Sequence, residues 1–244
     1  MDNISARVAV TAAAVTMLLF VPATLVAQCC GDCNGDGQVT IDDILKVVNR
    51  ALGGTCQPQS GGQRFPATGQ TTCWDTSGKV IACSGTGQDG QIQAGGALAY
   101  VDNGDGTISD LNTHLMWEKK SLDGSIHDES HFYTWADAFS TFIGGLNAAG
   151  FAGHTDWRLP NVKELQSIIN YQNTRPAVSA AFNANCASGC TVTTCSCTQS
   201  SDYWSATSYV YDPYVAWIVF FNFGYVGYYG KMGSTYVRAV RDGL

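Results

Sequence analysis

The chain has 244 residues, of which 45% are hydrophobic, 11% aromatic and only 14% charged. This content excludes a disordered protein, and the low charge without heptads excludes a coiled coil. A net charge of -7 argues against nucleic acid, which needs a basic face, and ten cysteines are too many for a reducing cytosol unless they hold metal.

Residues 8–27 run without a charge behind Arg7 and end in the small residue Ala27. That is the layout of a secretory signal peptide over residues 1–27. About 20 apolar residues would also serve as a retained anchor helix, but Pro22 and the small residues near Ala27 suit a peptidase. Gln28 separates Ala27 from Cys29, so no lipid anchor is expected. A secreted or cell-surface protein makes disulfides the default for its cysteines.

A calcium loop follows. Asp32, Asn34 and Asp36 place oxygen ligands at alternate positions, Gly37 supplies the sharp turn, and Asp43 closes the loop as its twelfth residue. Gln38 adds a backbone carbonyl, and Thr40 a direct or water-bridged contact. Ca2+ is therefore the expected cofactor, because it takes hard oxygens in this spacing. Ile41, Ile44, Leu45, Val48 and Leu52 then recur at helical spacing up to Gly53 and Gly54. The segment 29–56 resembles one dockerin type I repeat. Dockerins carry two repeats and this chain has one, which points to a calcium-stiffened cap or spacer. Cys33 and Cys56 flank the helix and are placed to staple it.

Residues 57–64 form a Gln/Pro/Ser/Gly linker, and the main domain occupies 65–244. Its pattern is α+β: short strands, Gly-rich loops and two main helices, without βαβ alternation. Cys73 and Cys83 bracket a short hairpin and are expected to bond. The run from Asp102 to Asp110 reads as an Asp-Gly turn joining two strands rather than a second calcium loop. Periodicity predicts a helix from Thr134 to about Ala149, with Trp135, Ala138, Phe139, Phe142, Ile143 and Leu146 on one stripe. A second is expected from Asn161 to about Tyr171, with Asn161 and Glu164 as a capping box and Leu165, Ile168 and Ile169 inward. Cys186, Cys190, Cys195 and Cys197 share a polar loop, read as two disulfides rather than a thiolate metal site. His127 and His131 have metal-pair spacing but sit in a loop. No catalytic constellation emerges, so an enzyme is not expected.

The C-terminal segment is the most informative. Thirteen of the 27 aromatic residues fall between Tyr203 and Tyr236. Strand alternation puts Trp217, Val219 and Phe221 on one face and Ile218, Phe220 and Asn222 on the other. The first face reads as core and the second as an exposed aromatic surface, continued by Tyr225, Tyr228 and Tyr229 among Gly224, Gly227 and Gly230. Tyr with Gly, Ser and Asn is the composition of a recognition surface.

Five motifs, in order, resemble the Lcl C-terminal domain family of exported bacterial domains. They are Val101–Asp110, Leu115–Trp117, Trp157–Leu165, Tyr203–Ser205 and Tyr236–Arg241. The resemblance covers roughly 65–242. It implies a C-type-lectin-like fold related to the formylglycine-generating enzyme, and ligand binding or adhesion rather than turnover. Within it, Ala216, Trp217, Val219, Phe221, Gly224, Val226, Lys231 and Tyr236–Arg241 resemble the framework of the variable region in diversity-generating-retroelement proteins. On that resemblance the variable, ligand-binding positions are Ile218, Phe220, Asn222, Phe223, Tyr225, Gly227, Tyr228, Tyr229, Gly233, Ser234 and Thr235.

The expected partner is a protein or carbohydrate on an external surface. The alternatives are a fixed-specificity glycan adhesin and a structural surface protein that self-associates through its aromatic face.

Overall fold

The structure is a computed structural model and describes residues 65–243, all within the unit that runs from Gly61 to Leu244. The signal peptide, the calcium ligands Asp32, Asn34, Asp36, Gln38, Thr40 and Asp43, the four N-terminal cysteines and the linker lie outside the described residues.

Strands β1 (Cys73–Trp74) and β2 (Val80–Ile81) form the expected hairpin. Asp75 shapes its turn by accepting from the N–H groups of Ser77 and Lys79. The Cys73–Cys83 disulfide forms as the spacing predicts. Helix α1 (Asp89–Ile92) follows. Strands β3 (Tyr100–Asp102), β4 (Thr107–Asp110), β5 (Leu115–Glu118) and β11 (Val240–Asp242) make an antiparallel sheet in the order β11-β5-β4-β3. The Asp-Gly run is thus a turn plus a strand. Gly104 and Gly106 take positive φ, Asp105 accepts from Thr107 N at 3.0 Å, and Ile108 reaches the core.

The second sheet has five strands in the order β6-β10-β7-β8-β9. They are β6 (Phe132–Thr134), β7 (Asp202–Ser208), β8 (Val215–Phe220), β9 (Tyr225–Gly230) and β10 (Ser234–Tyr236). All pairings are antiparallel except β10 with β7.

The predicted helix after Thr134 is present. It is built of α2 (Trp135–Asp137), a π-helical stretch (Ala138–Ile143) and α3 (Gly144–Ala149). Thr134 caps it by accepting from Asp137 N, and Gly150 ends it in the left-handed region. Ala138, Phe142, Ile143 and Leu146 are buried as the stripe predicts. Phe139 is instead 36% exposed, against the edge of Trp135; the wide π turn carries it off the stripe. Helix α4 (Val162–Ser167) starts with the full Asn161–Glu164 capping box. It ends earlier than its periodicity suggests, because Ile169 leaves to pair with Val178.

Two core clusters lie on opposite faces of the five-stranded sheet. On one face Val219, Phe221 and Tyr203 pack with Trp117, Leu165, Ile168 and Phe182. On the other, Ile218, Ala216 and Trp204 pack with Phe142, Leu146 and Trp157. Two expectations from alternation are therefore corrected. Ile218 is not surface but 3% exposed, because the helical run from Trp135 covers its face. Trp217 is not core but half-buried, on a face where the Tyr209 and Tyr228 rings cover it in part.

Candidate binding surface

The β8–β9 hairpin is held in register over six pairs, from Val215 with Gly230 to Phe220 with Tyr225. Its turn requires Gly224, which takes φ +82°; a Cβ there would stand 2.6 Å from Ile169 Cγ2. Strand β9 is the sheet edge, so only β8 covers it. Its tyrosines remain open: Tyr225 is 52% exposed, Tyr228 59% and Tyr229 45%.

Alternation distributes these rings over both faces of the edge rather than one. Tyr225 lies opposite Phe220 and Tyr229 opposite Ala216, whereas Tyr228 lies opposite Trp217. On the first face, Phe220 meets Tyr225 at 5.0 Å and Phe223 at 5.9 Å between ring centroids. On the second, Tyr228 stacks on Tyr209 at 5.1 Å, and Tyr209 also contacts Tyr211 and Trp217. The neighbouring Val210, Tyr211 and Tyr214 are almost fully exposed, as is Met232. Two aromatic groups therefore flank one sheet edge.

Of the positions singled out from sequence, Phe220 and Asn222 are half-buried, and Phe223, Tyr225, Tyr228, Tyr229 and Ser234 are exposed. Gly227 lies beneath the Tyr225 ring, and Gly233 beneath Tyr229. Ile218 and Thr235 do not belong to the surface. Thr235 is 4% exposed, and its hydroxyl donates to the Asp202 carbonyl. Tyr209, Tyr211, Tyr214 and Trp217 were missed, although the aromatic density of the segment includes them.

The charges near the rings are few. Lys231 Nζ lies 4.1 Å over the Trp135 ring and donates to Ser208 Oγ, and the Arg175 guanidinium sits 5.8 Å from the Phe223 centroid. Asp202, half-buried at the start of β7, has its pKa raised by desolvation.

The densest charge cluster is internal. Arg238 donates to the carbonyls of Glu118 and Cys197 and to Thr198 Oγ1, tying β5, the cysteine loop and the β10–β11 connection together. Glu118 accepts from Lys120 Nζ and Ala239 N and bonds His127 Nδ1. This occupies His127, the first member of the loose metal pair. The cysteine loop forms Cys186–Cys197 and Cys190–Cys195 disulfides, the reading preferred from sequence. Arg158 forks onto Glu164 and Arg241 onto Asp156, so both arginines are framework.

A cleft of about 710 Å³ lies beside α4, floored by Leu115, Ile169 and Tyr171. Much of its polar lining is spent internally: Arg158 takes Glu164 and Asp242, Asn112 donates to the Ala97 carbonyl, and Gln166 donates to the Tyr171 hydroxyl.

A family model described as the Lcl C-terminal domain matches residues 106–241, from the turn before β4 into β11. No curated protein matches the chain.

Proposed function

The chain belongs to the Lcl C-terminal domain family, and on that premise we propose that it is an exported binding protein rather than an enzyme. It recognises a protein or glycan on an external surface through the aromatic rings of the β8–β9 hairpin and the 209–214 loop. The observation that carries this reading is the solvent exposure of Tyr211, Tyr214, Tyr225, Tyr228 and Tyr229 around a single sheet edge. A soluble domain gains nothing in stability from contiguous exposed rings, whereas a recognition surface gains contact area at low entropy cost.

The remaining parts of the proposal extend this core. The signal peptide exports the chain, and one Ca2+ in the Asp32–Asp43 loop stiffens a small cap. The domain is C-type-lectin-like, and its hairpin is the variable region of a diversity-generating retroelement. On that account the exposed positions vary, while Ile218 and Thr235, being buried, tolerate little change. An adenine-rich near-repeat of the hairpin's coding sequence and a reverse transcriptase gene beside this one are expected. Their absence removes the diversification reading and leaves a fixed-specificity adhesin.

The binding reading is tested with fluorescently labelled protein on a glycan array and on whole cells. Tyr211→Ala, Tyr214→Ala and Tyr228→Ala together should abolish binding with little change in Tm. Retained binding, or a large fall in Tm, defeats the reading.

A further inference from the structure

We propose that the Phe220 face of the hairpin is a receptor for a cationic side chain, lysine or arginine, of a protein ligand, with the Asp202 carboxylate as its anion. Asp202 pairs with Phe220 across β7 and β8, and Phe220 pairs with Tyr225 across β8 and β9. Residues opposite one another in antiparallel strands point to the same face. A carboxylate and two rings therefore form a row across the sheet, with Phe223 beside Phe220. Asp202 and Phe220 are half-buried, and Tyr225 and Phe223 stand half-exposed around them.

Asp202 lacks a partner. Its Oδ1 is closed to solvent and has no hydrogen-bond donor among the described residues, and the Asn222 Oδ1 is in the same condition. Burial raises its pKa, and none of the ion pairs among the described residues includes it. Other acids of the domain are treated differently. Asp102 holds Lys119, Glu118 holds Lys120, Asp110 accepts from Thr113, and Asp128 accepts from Ser130 and Gly124. A desolvated carboxylate without a donor costs free energy that an incoming cation returns.

The rings define the rest of the chemistry, because a guanidinium or ammonium is held by ring faces as well as by the carboxylate. Arg175 already lies over Phe223, and the Phe220 and Tyr225 rings carry no cation of the described chain. A metal ion suits the site poorly, since one carboxylate and one amide fall short of the six to eight oxygens of calcium. The net charge of -7 favours approach by a basic partner.

The inference rests on the recognition reading only in taking the hairpin as the contact surface. The test needs no natural partner: amide NMR spectra of the oxidised full chain are titrated with Nα-acetyl-arginine amide, with Nα-acetyl-lysine amide and with the neutral Nα-acetyl-citrulline amide. Saturable shifts at Asp202, Phe220 and Tyr225 are expected with both cations and not with citrulline. Asp202→Asn should weaken binding about tenfold or more, the loss expected when a charge-assisted contact goes. Tyr225→Ala, at an exposed position, should weaken it several-fold and serves if Asp202→Asn fails to fold. Equal shifts with citrulline, undiminished binding in both variants, or the same shifts with Ca2+ alone overturn the proposal. If cell binding through Tyr211, Tyr214 and Tyr228 survives such a result, the broader reading stands and only the cation receptor falls.

Discussion

The aromatic surface expected from the sequence includes both Ile218 and Tyr225, and the structure buries the first and exposes the second. Replacing each with Asn tests that separation. Ile218 is 3% exposed and packs among Trp204, Phe142 and Leu146. Removing a buried Ile side chain of this kind costs about 2–5 kcal/mol. The amide that replaces it would enter an apolar cluster without a partner and add about 1–3 kcal/mol. A total of about 3–8 kcal/mol, at roughly 2–4 °C per kcal/mol for a domain of this size, lowers Tm by about 6–32 °C. Tyr225 is 52% exposed, and Tyr225→Asn loses part of the contact with Phe220, about 1 kcal/mol or less. Thermal unfolding of the two variants, followed by circular dichroism with disulfides intact, should show one large shift and one small one. If Ile218→Asn melts within about 3 °C of the parent, less than 2 kcal/mol on the same scale, the second core cluster does not exist as described. The hairpin would then have one solvent face after all.

Two further outcomes are expected of the same structure. Gly224→Ala should destabilise the hairpin by about 1–3 kcal/mol, since the residue has φ +82° and its new Cβ would meet Ile169 at 2.6 Å; chemical denaturation measures it, and an unchanged midpoint refutes the turn geometry. Glu118 contributes to acid sensitivity. Burial acts to raise its pKa, but Lys120, His127 and the Ala239 N–H outweigh burial and hold the carboxyl below its ordinary range. A depressed pKa contributes stability above the unfolded value of about 4.3 that is lost as pH falls below it. Glu118→Gln should therefore be less stable at neutral pH, and its Tm should fall less steeply than the parent's below pH about 4.3. Parallel pH profiles would show that Glu118 does not ionise as described.

Much of this protein was legible wherever the signal is local. The Asn161–Glu164 capping box, the Thr134 start of the long helix and its end near Ala149, and the hairpin bond between Cys73 and Cys83 all depend on residues near one another in the chain. Their hydrogen bonds and spacings form whatever the rest of the fold does. The aromatic density after Tyr203 was equally plain.

What alternation fixed along β8 was only that its side chains divide into two sets. Whether both sets are covered depends on what packs on each face, and here the helical run from Trp135 lies on one and α4 on the other. The burial of Ile218, the partial burial of Trp217 and the joining of Tyr209 to Tyr228 were therefore decided by tertiary contacts alone. The same holds for Arg238, whose guanidinium reaches Glu118 and Cys197 from far along the chain, and for Asp202, whose lack of a donor is a property of its surroundings. Composition and period set the elements and their two faces. Long-range packing alone determines which face meets water and which charge is left without a partner, because burial belongs to the assembled layers and not to any one strand.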